Sequence, residues 1–146
     1  MSKLTLRYEF DPSFFDPRLS RDDFGTLSIS VVTDRFSGSG RFWVQWQDVK
    51  EFGEALGAYP ITQDRPVIGQ WGYDKQEGDD LILRIEVSPA DARGNLIVRF
   101  EVAERSEDPG RVKGSFLTNY QDLQAFRIGI AQLMKNEVEH AVLTGQ

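Results

Sequence analysis

The sequence predicts an α+β fold: a mostly antiparallel sheet of six or seven strands, with one short helix and a long C-terminal helix packed on one face. Three observations lead there. Several stretches alternate apolar and polar residues with period two, the pattern of a strand with one buried and one wet face. Two others carry apolar residues at helical spacing. Finally, Arg7-x-Glu9, Arg84-x-Glu86 and Arg99-x-Glu101 each occupy the outward positions of a strand. Side by side they would form a lattice of cross-strand charge pairs, which implies an antiparallel sheet with one solvated face and one face covered by the C-terminal helix.

The first strand runs from Lys3 to Phe10, with Leu4, Leu6, Tyr8 and Phe10 on one side and Thr5, Arg7 and Glu9 on the other. The segment DPSFFDPRLSRDDFG has two Asp-Pro pairs and no period, so it reads as a loop whose Phe14 and Phe15 tuck against the core. Leu27, Ile29 and Val31 then alternate with Ser28 and Ser30 in a second strand. The stretch Ser37-Gly38-Ser39-Gly40 reads as a hairpin turn whose glycines supply positive φ, and Arg41 to Trp46 reads as the returning strand. In that register Phe42, Val44 and Trp46 face the core and Trp43 faces away.

Asp48 with Glu51 has capping-box spacing, and Val49, Phe52, Leu56 and Tyr59 recur at helical intervals, giving a short helix that ends near Gly57. A strand from Val67 to Tyr73 is weakened by Gly69 and Gly72. Leu81, Leu83, Ile85 and Val87, then Leu96, Val98, Phe100 and Val102, define two strands joined by the turn DARGN. A last strand contains Val112 and Phe116. Thr118 with Gln121 opens the long helix, which the stripe Leu123, Phe126, Ile130, Leu133, Met134 and Ala141 carries to about Leu143. No repeat, low-complexity tract or linker interrupts the 146 residues, and the whole is one domain, residues 1–146.

Composition narrows the functional classes. The chain has no cysteine, hence no disulfide, thiolate nucleophile or zinc–sulfur site. There is no apolar run of membrane-spanning length and no signal-peptide core at the N-terminus, so the expected location is the cytoplasm. The formal charge of −6, from 23 acidic and 17 basic residues, opposes binding to nucleic acid or anionic lipid and suits a partner protein with a basic surface.

Tests for catalytic chemistry find no site. Ser-Gly-Ser-Gly is followed by a strand, whereas a phosphate loop needs a helix N-terminus. The hydrolase elbow fails because Ser37 stands where its first glycine belongs. His140 is the single histidine, and with Glu137 it gives one Glu-x-x-His where a di-iron bundle needs two. It reads as a solvent-facing helix residue beside the C-terminal dipole. Glu77, Asp79 and Asp80 lack calcium-loop spacing. A pair of carboxylates acting as acid and base stays open, because it depends on separation and burial. No catalytic, cofactor-binding or metal-binding residue is assigned, and no cofactor is expected.

The aromatics are the site candidates. Trp43 points away from the core, and Trp71 and Tyr73 share one side of a glycine-interrupted strand. Outward aromatics of this size form interface hot spots or platforms for a planar ligand unless a second layer covers them. Trp43, Trp71 and Tyr73 are therefore the candidate partner- or ligand-binding residues.

Residues 36–60 (FSGSGRFWVQWQDVKEFGEALGAYP), 83–102 (LRIEVSPADARGNLIVRFEV) and 115–133 (SFLTNYQDLQAFRIGIAQL) together resemble a bacterial family of small single-domain proteins of unknown function. In layout the chain is similar to the small α+β immunity-type proteins that neutralise bacterial toxins. The resemblance rests on turn and core residues. It implies the fold and a binding role, and brings no active site with it. The resulting expectation is a non-catalytic interaction domain, immunity-like, that meets a basic partner. The alternative is a small-molecule binder or an enzyme with a site between sheet and helices.

Overall fold

The computed structural model describes residues 1–12, 18, 22–73, 81–104 and 110–146. Phe14, Phe15, Glu77, Asp79 and Asp80 lie outside these residues. The elements run β1 (Ser2–Phe10), β2 (Phe24–Val32), β3 (Ser37–Gln45), α1 (Trp46–Ala55), β4 (Val67–Gly72), β5 (Leu81–Pro89), β6 (Asn95–Ala103), β7 (Arg111–Asn119), α2 (Tyr120–Met134) and β8 (Ala141–Gly145). The fold is α+β, but the expected single sheet is two antiparallel four-stranded sheets, ordered β3-β2-β1-β8 and β4-β5-β6-β7. Each helix bridges them: α1 touches β3 and β4, and α2 touches β1, β8 and β7.

Period-two alternation sorts the side chains as expected. Leu4 and Leu6 on β1, Leu27 and Ile29 on β2, and Leu83, Ile85 and Val87 on β5 are fully buried, and all belong to one core cluster with Leu123, Phe126 and Ile130 of α2. The charge lattice is real but divided. Glu86 on β5 pairs with Arg84 at 3.3 Å and with Arg99 on β6 at 3.4 Å, while Glu101 takes Arg111 of β7 at 2.6 Å. Arg7 and Glu9 lie on the other sheet and join none of this.

Ser-Gly-Ser-Gly is not a turn. It is the first half of β3, and Gly38 and Gly40 pair with Val31 and Ile29 across the ladder. The turn lies earlier, in residues 33–36, where Thr33 N–H donates to the Phe36 carbonyl at 2.8 Å and Phe36 N–H to Thr33 Oγ1 at 3.1 Å. Neither glycine has positive φ. Their lack of a side chain serves close approach instead: a Cβ on Gly40 would lie 2.6 Å from the Ala103 carbonyl oxygen of β6, and one on Gly38 would lie 2.8 Å from Val112 of β7. That absence lets β3 press against the second sheet.

Both helices begin differently from the sequence reading, and α2 also ends differently. β3 runs straight into α1; Gln45 is the N-cap without a side-chain hydrogen bond, and Trp46 N–H donates to the Asp23 carbonyl at 3.0 Å. The main chain of Asp23 thus replaces the capping box, which leaves Asp48 free in the first turn, where the helix dipole favours an acid. Trp46, expected on a core-facing strand, is the partly buried first residue of this helix. Asn119, not Thr118, caps α2, its side chain accepting from Asp122 N–H at 2.8 Å. α2 stops at Met134 and not near Leu143. Asn136 takes φ 60°, and Glu137 N–H returns to the Gln132 carbonyl at 2.9 Å, the six-to-one closure of a helix end. Residues 141–145 then pair with β1 as β8, so Ala141 packs from a strand. His140 is exposed just before β8, and the Glu-x-x-His spacing never lies on a helix.

Candidate functional site

A groove of about 540 Å³ opens between β3, β4 and α1. The chain brings it about by running β3 directly into α1 and then returning through residues 56–66 to lay β4 alongside. Phe42, Trp43 and Val44 form one wall, Ile68, Gln70 and Trp71 the other, and Asp48, Glu51 and Phe52 of α1 complete it.

Trp43 is about half exposed, at 51%, yet held on both sides. Its ring stacks on Phe24 with centroids 4.0 Å apart and planes 22° from parallel, and its Nε1–H donates to Asp11 Oδ2 at 2.6 Å. An exposed indole with two fixed contacts presents apolar area with little rotamer entropy left to lose on binding.

Trp71 corrects the expectation of an outward platform. It is only 7% exposed and meets Phe52 of α1 edge-on, with centroids 5.8 Å apart and planes at 83°. Its ring is a core element that borders the groove. Tyr73 is 55% exposed and packs edge-on against Phe42 at 5.4 Å. Trp43 and Trp71 thus line one groove, and Tyr73 stands beyond Phe42, on a neighbouring cleft. Phe42 lies between these two settings.

Sequence reading missed Phe24, Ile68, Asp48 and Glu51 as parts of this site. Asp48 and Glu51 were legible only as a helix start, although both are exposed on the groove side of α1. Ile68, 44% exposed, sits in VIGQWG, an edge strand without a charged residue, which was the available signal. Among the described residues lining the groove, the charged ones are Asp48 and Glu51.

The Ser-Gly-Ser-Gly strand borders a separate cleft with Arg41 and Arg111. There the Arg111 guanidinium is already committed, to Glu101 Oε1 at 2.6 Å and the Leu81 carbonyl at 2.8 Å. Among the described residues, no group of three or more His, Asp or Glu side chains is placed to hold a metal ion. No described helix is long and apolar enough to cross a membrane. In the β5–β6 turn, Asp91 is held below the usual carboxylate range, first by the Asn95 side-chain amide and then by the Arg93 N–H. No protein-family model matches the chain, and a search of curated proteins finds no match.

Proposed function

We propose that the chain is a non-catalytic interaction domain, and that the groove between β3 and β4 receives a basic, apolar segment of a partner protein. An immunity-type role, neutralising a toxin in the bacterial cytoplasm, is the biological setting this reading favours. The observation that carries it is Trp43, half exposed but fixed by Phe24 and Asp11, at the mouth of a groove whose charged lining residues, among those described, are Asp48 and Glu51. An anchored aromatic beside unpaired acids suits a hot spot, in which the apolar contact supplies affinity and the carboxylates supply steering and choice of partner.

Calorimetric titration with a cationic apolar peptide, and with an acidic peptide carrying the same apolar residues, tests the reading. Saturable binding of the cationic peptide is expected, weakened by salt, by Trp43→Ala and by the double change Asp48→Lys with Glu51→Lys. Equal binding of the acidic peptide would overturn it.

A further inference from the structure

The outward arginines of the two sheets are paired differently. On the second sheet Arg84 and Arg99 meet Glu86, and Arg111 meets Glu101. On the first sheet one row across three strands reads Arg7, Ser28, Arg41, because Arg7 of β1 and Arg41 of β3 both register with Ser28 of β2. Both arginines are exposed, and among the described residues neither forms an ion pair. A solvated charge lattice sets an acid opposite each base, as the second sheet does. Here a short hydroxyl residue stands in the acid's place.

This row lines a cleft of about 930 Å³ between the first sheet and the connection from α2 to β8, and the cleft shares no described lining residue with the β3–β4 groove. Neighbouring strands lie about 4.8 Å apart, so the backbones of Arg7 and Arg41 stand about 10 Å apart, and their long side chains can converge on one anion above Ser28. Lys135, the C-cap of α2, borders the same space, and against these three cations stand Glu9 and Glu139. Phe10 and Val138 add an apolar border. A cleft of this volume accommodates a whole small molecule.

We infer that the cleft is a binding site for a small phosphate monoester. A carboxylate has two oxygens and is satisfied by one guanidinium fork, whereas a phosphate monoester has three terminal oxygens, enough for both forks and the Ser28 hydroxyl. The chain's charge of −6 repels a nucleic acid or an anionic membrane, whose many charges meet the whole surface. A small anion responds instead to the charges within a Debye length, about 8 Å. The occupant is thus a small phosphorylated molecule whose uncharged body lies against Phe10 and Val138.

Phenyl phosphate is the probe and benzoate the monocarboxylate control, each followed by calorimetry and by the NMR signals of the arginine Nε–H groups. Saturable binding of phenyl phosphate is expected, with shifts at Arg7 and Arg41 and with benzoate at least about tenfold weaker. Arg7→Gln and Arg41→Gln should each weaken binding at least about tenfold with unchanged melting curves, while Lys50→Gln, which removes the same charge from an exposed site on α1, should leave it intact. Ser28→Glu supplies the acid that the second sheet sets opposite its arginines, and should abolish binding. Should an arginine variant melt early, Ser28→Glu and the arginine shifts of the unaltered protein decide. The inference is overturned by equal binding of benzoate, by an equal loss in Lys50→Gln, by binding that survives Ser28→Glu or either arginine change, or by no saturation at millimolar phenyl phosphate.

Discussion

Trp43 and Phe24 stack with their centroids 4.0 Å apart, joining β3 to the start of β2 on the outside of the first sheet. The pair fixes the orientation of the half-exposed indole without burying it. Stability and the proposed recognition are therefore separable at the two tryptophans of the groove.

Trp71→Ala should cost about 3–5 kcal/mol, the range for removing a large buried aromatic, because its ring fills space against Phe52. Trp43→Ala should cost no more than about 1.5 kcal/mol, the worth of an aromatic pair beyond area burial. Denaturant titrations of the two variants check the contrast. A Trp43→Ala loss as large as that of Trp71→Ala would show that Trp43 is structural.

Gly40→Ala should destabilise by about 1–3 kcal/mol, as overpacking does, since the new methyl would meet the Ala103 carbonyl oxygen. Ser39→Ala, on the exposed side of the same strand, should stay within about 0.5 kcal/mol. The difference between their melting curves reports how closely β3 approaches the second sheet.

Gly94 in the β5–β6 turn has φ 91° and open space where a Cβ would stand. Gly94→Ala should therefore cost about 1–2 kcal/mol through backbone strain alone. The loss should appear in equilibrium unfolding without any effect on peptide binding.

Along α2, Phe126→Ala should cost about 3–5 kcal/mol and Ile128→Ala less than about 0.5 kcal/mol, because the first side chain is fully buried and the second is half exposed. Equal losses in thermal melts would contradict the placement of the helix.

Asp91 provides a pH test. Its folded-state pKa is lowered, first by Asn95, so its ionised form favours the folded turn. That contribution is present above the ordinary aspartate range and fades as pH falls through the lowered folded value. A side-chain carboxyl titration by NMR should show Asp91 protonating at lower pH than a model aspartate, and Asn95→Ala should raise its midpoint.

Most of the elements were legible because each rests on a short-range pattern. β1, β2, β5 and β6 show period two, and the turn between β5 and β6 carries Asp91 and Gly94. The end of α2 was harder to read. Asn136, a residue tolerated at positive φ, was its only punctuation, and the apolar residues beyond it continued to resemble a helical stripe. Of the site, the outward Trp43 followed from the alternation of β3. Trp71 could not be placed this way, because VIGQWG does not alternate cleanly and α1 supplies Phe52 to cover it.

Composition and side-chain period are enough to establish the fold class, the inner and outer faces of the well-patterned strands, and the want of thiol chemistry. That the strands divide into two sheets, that Gly38 and Gly40 serve close approach, and that Trp43, Asp48, Glu51 and Ile68 meet at one groove emerge from long-range packing. The physical reason is that side-chain period records which face of a strand is buried but not what it is buried against. The inner faces of both sheets are alike in sequence, so the pairing of β1 with β8 and the nearness of β3 to β4 depend on packing among segments far apart in the chain.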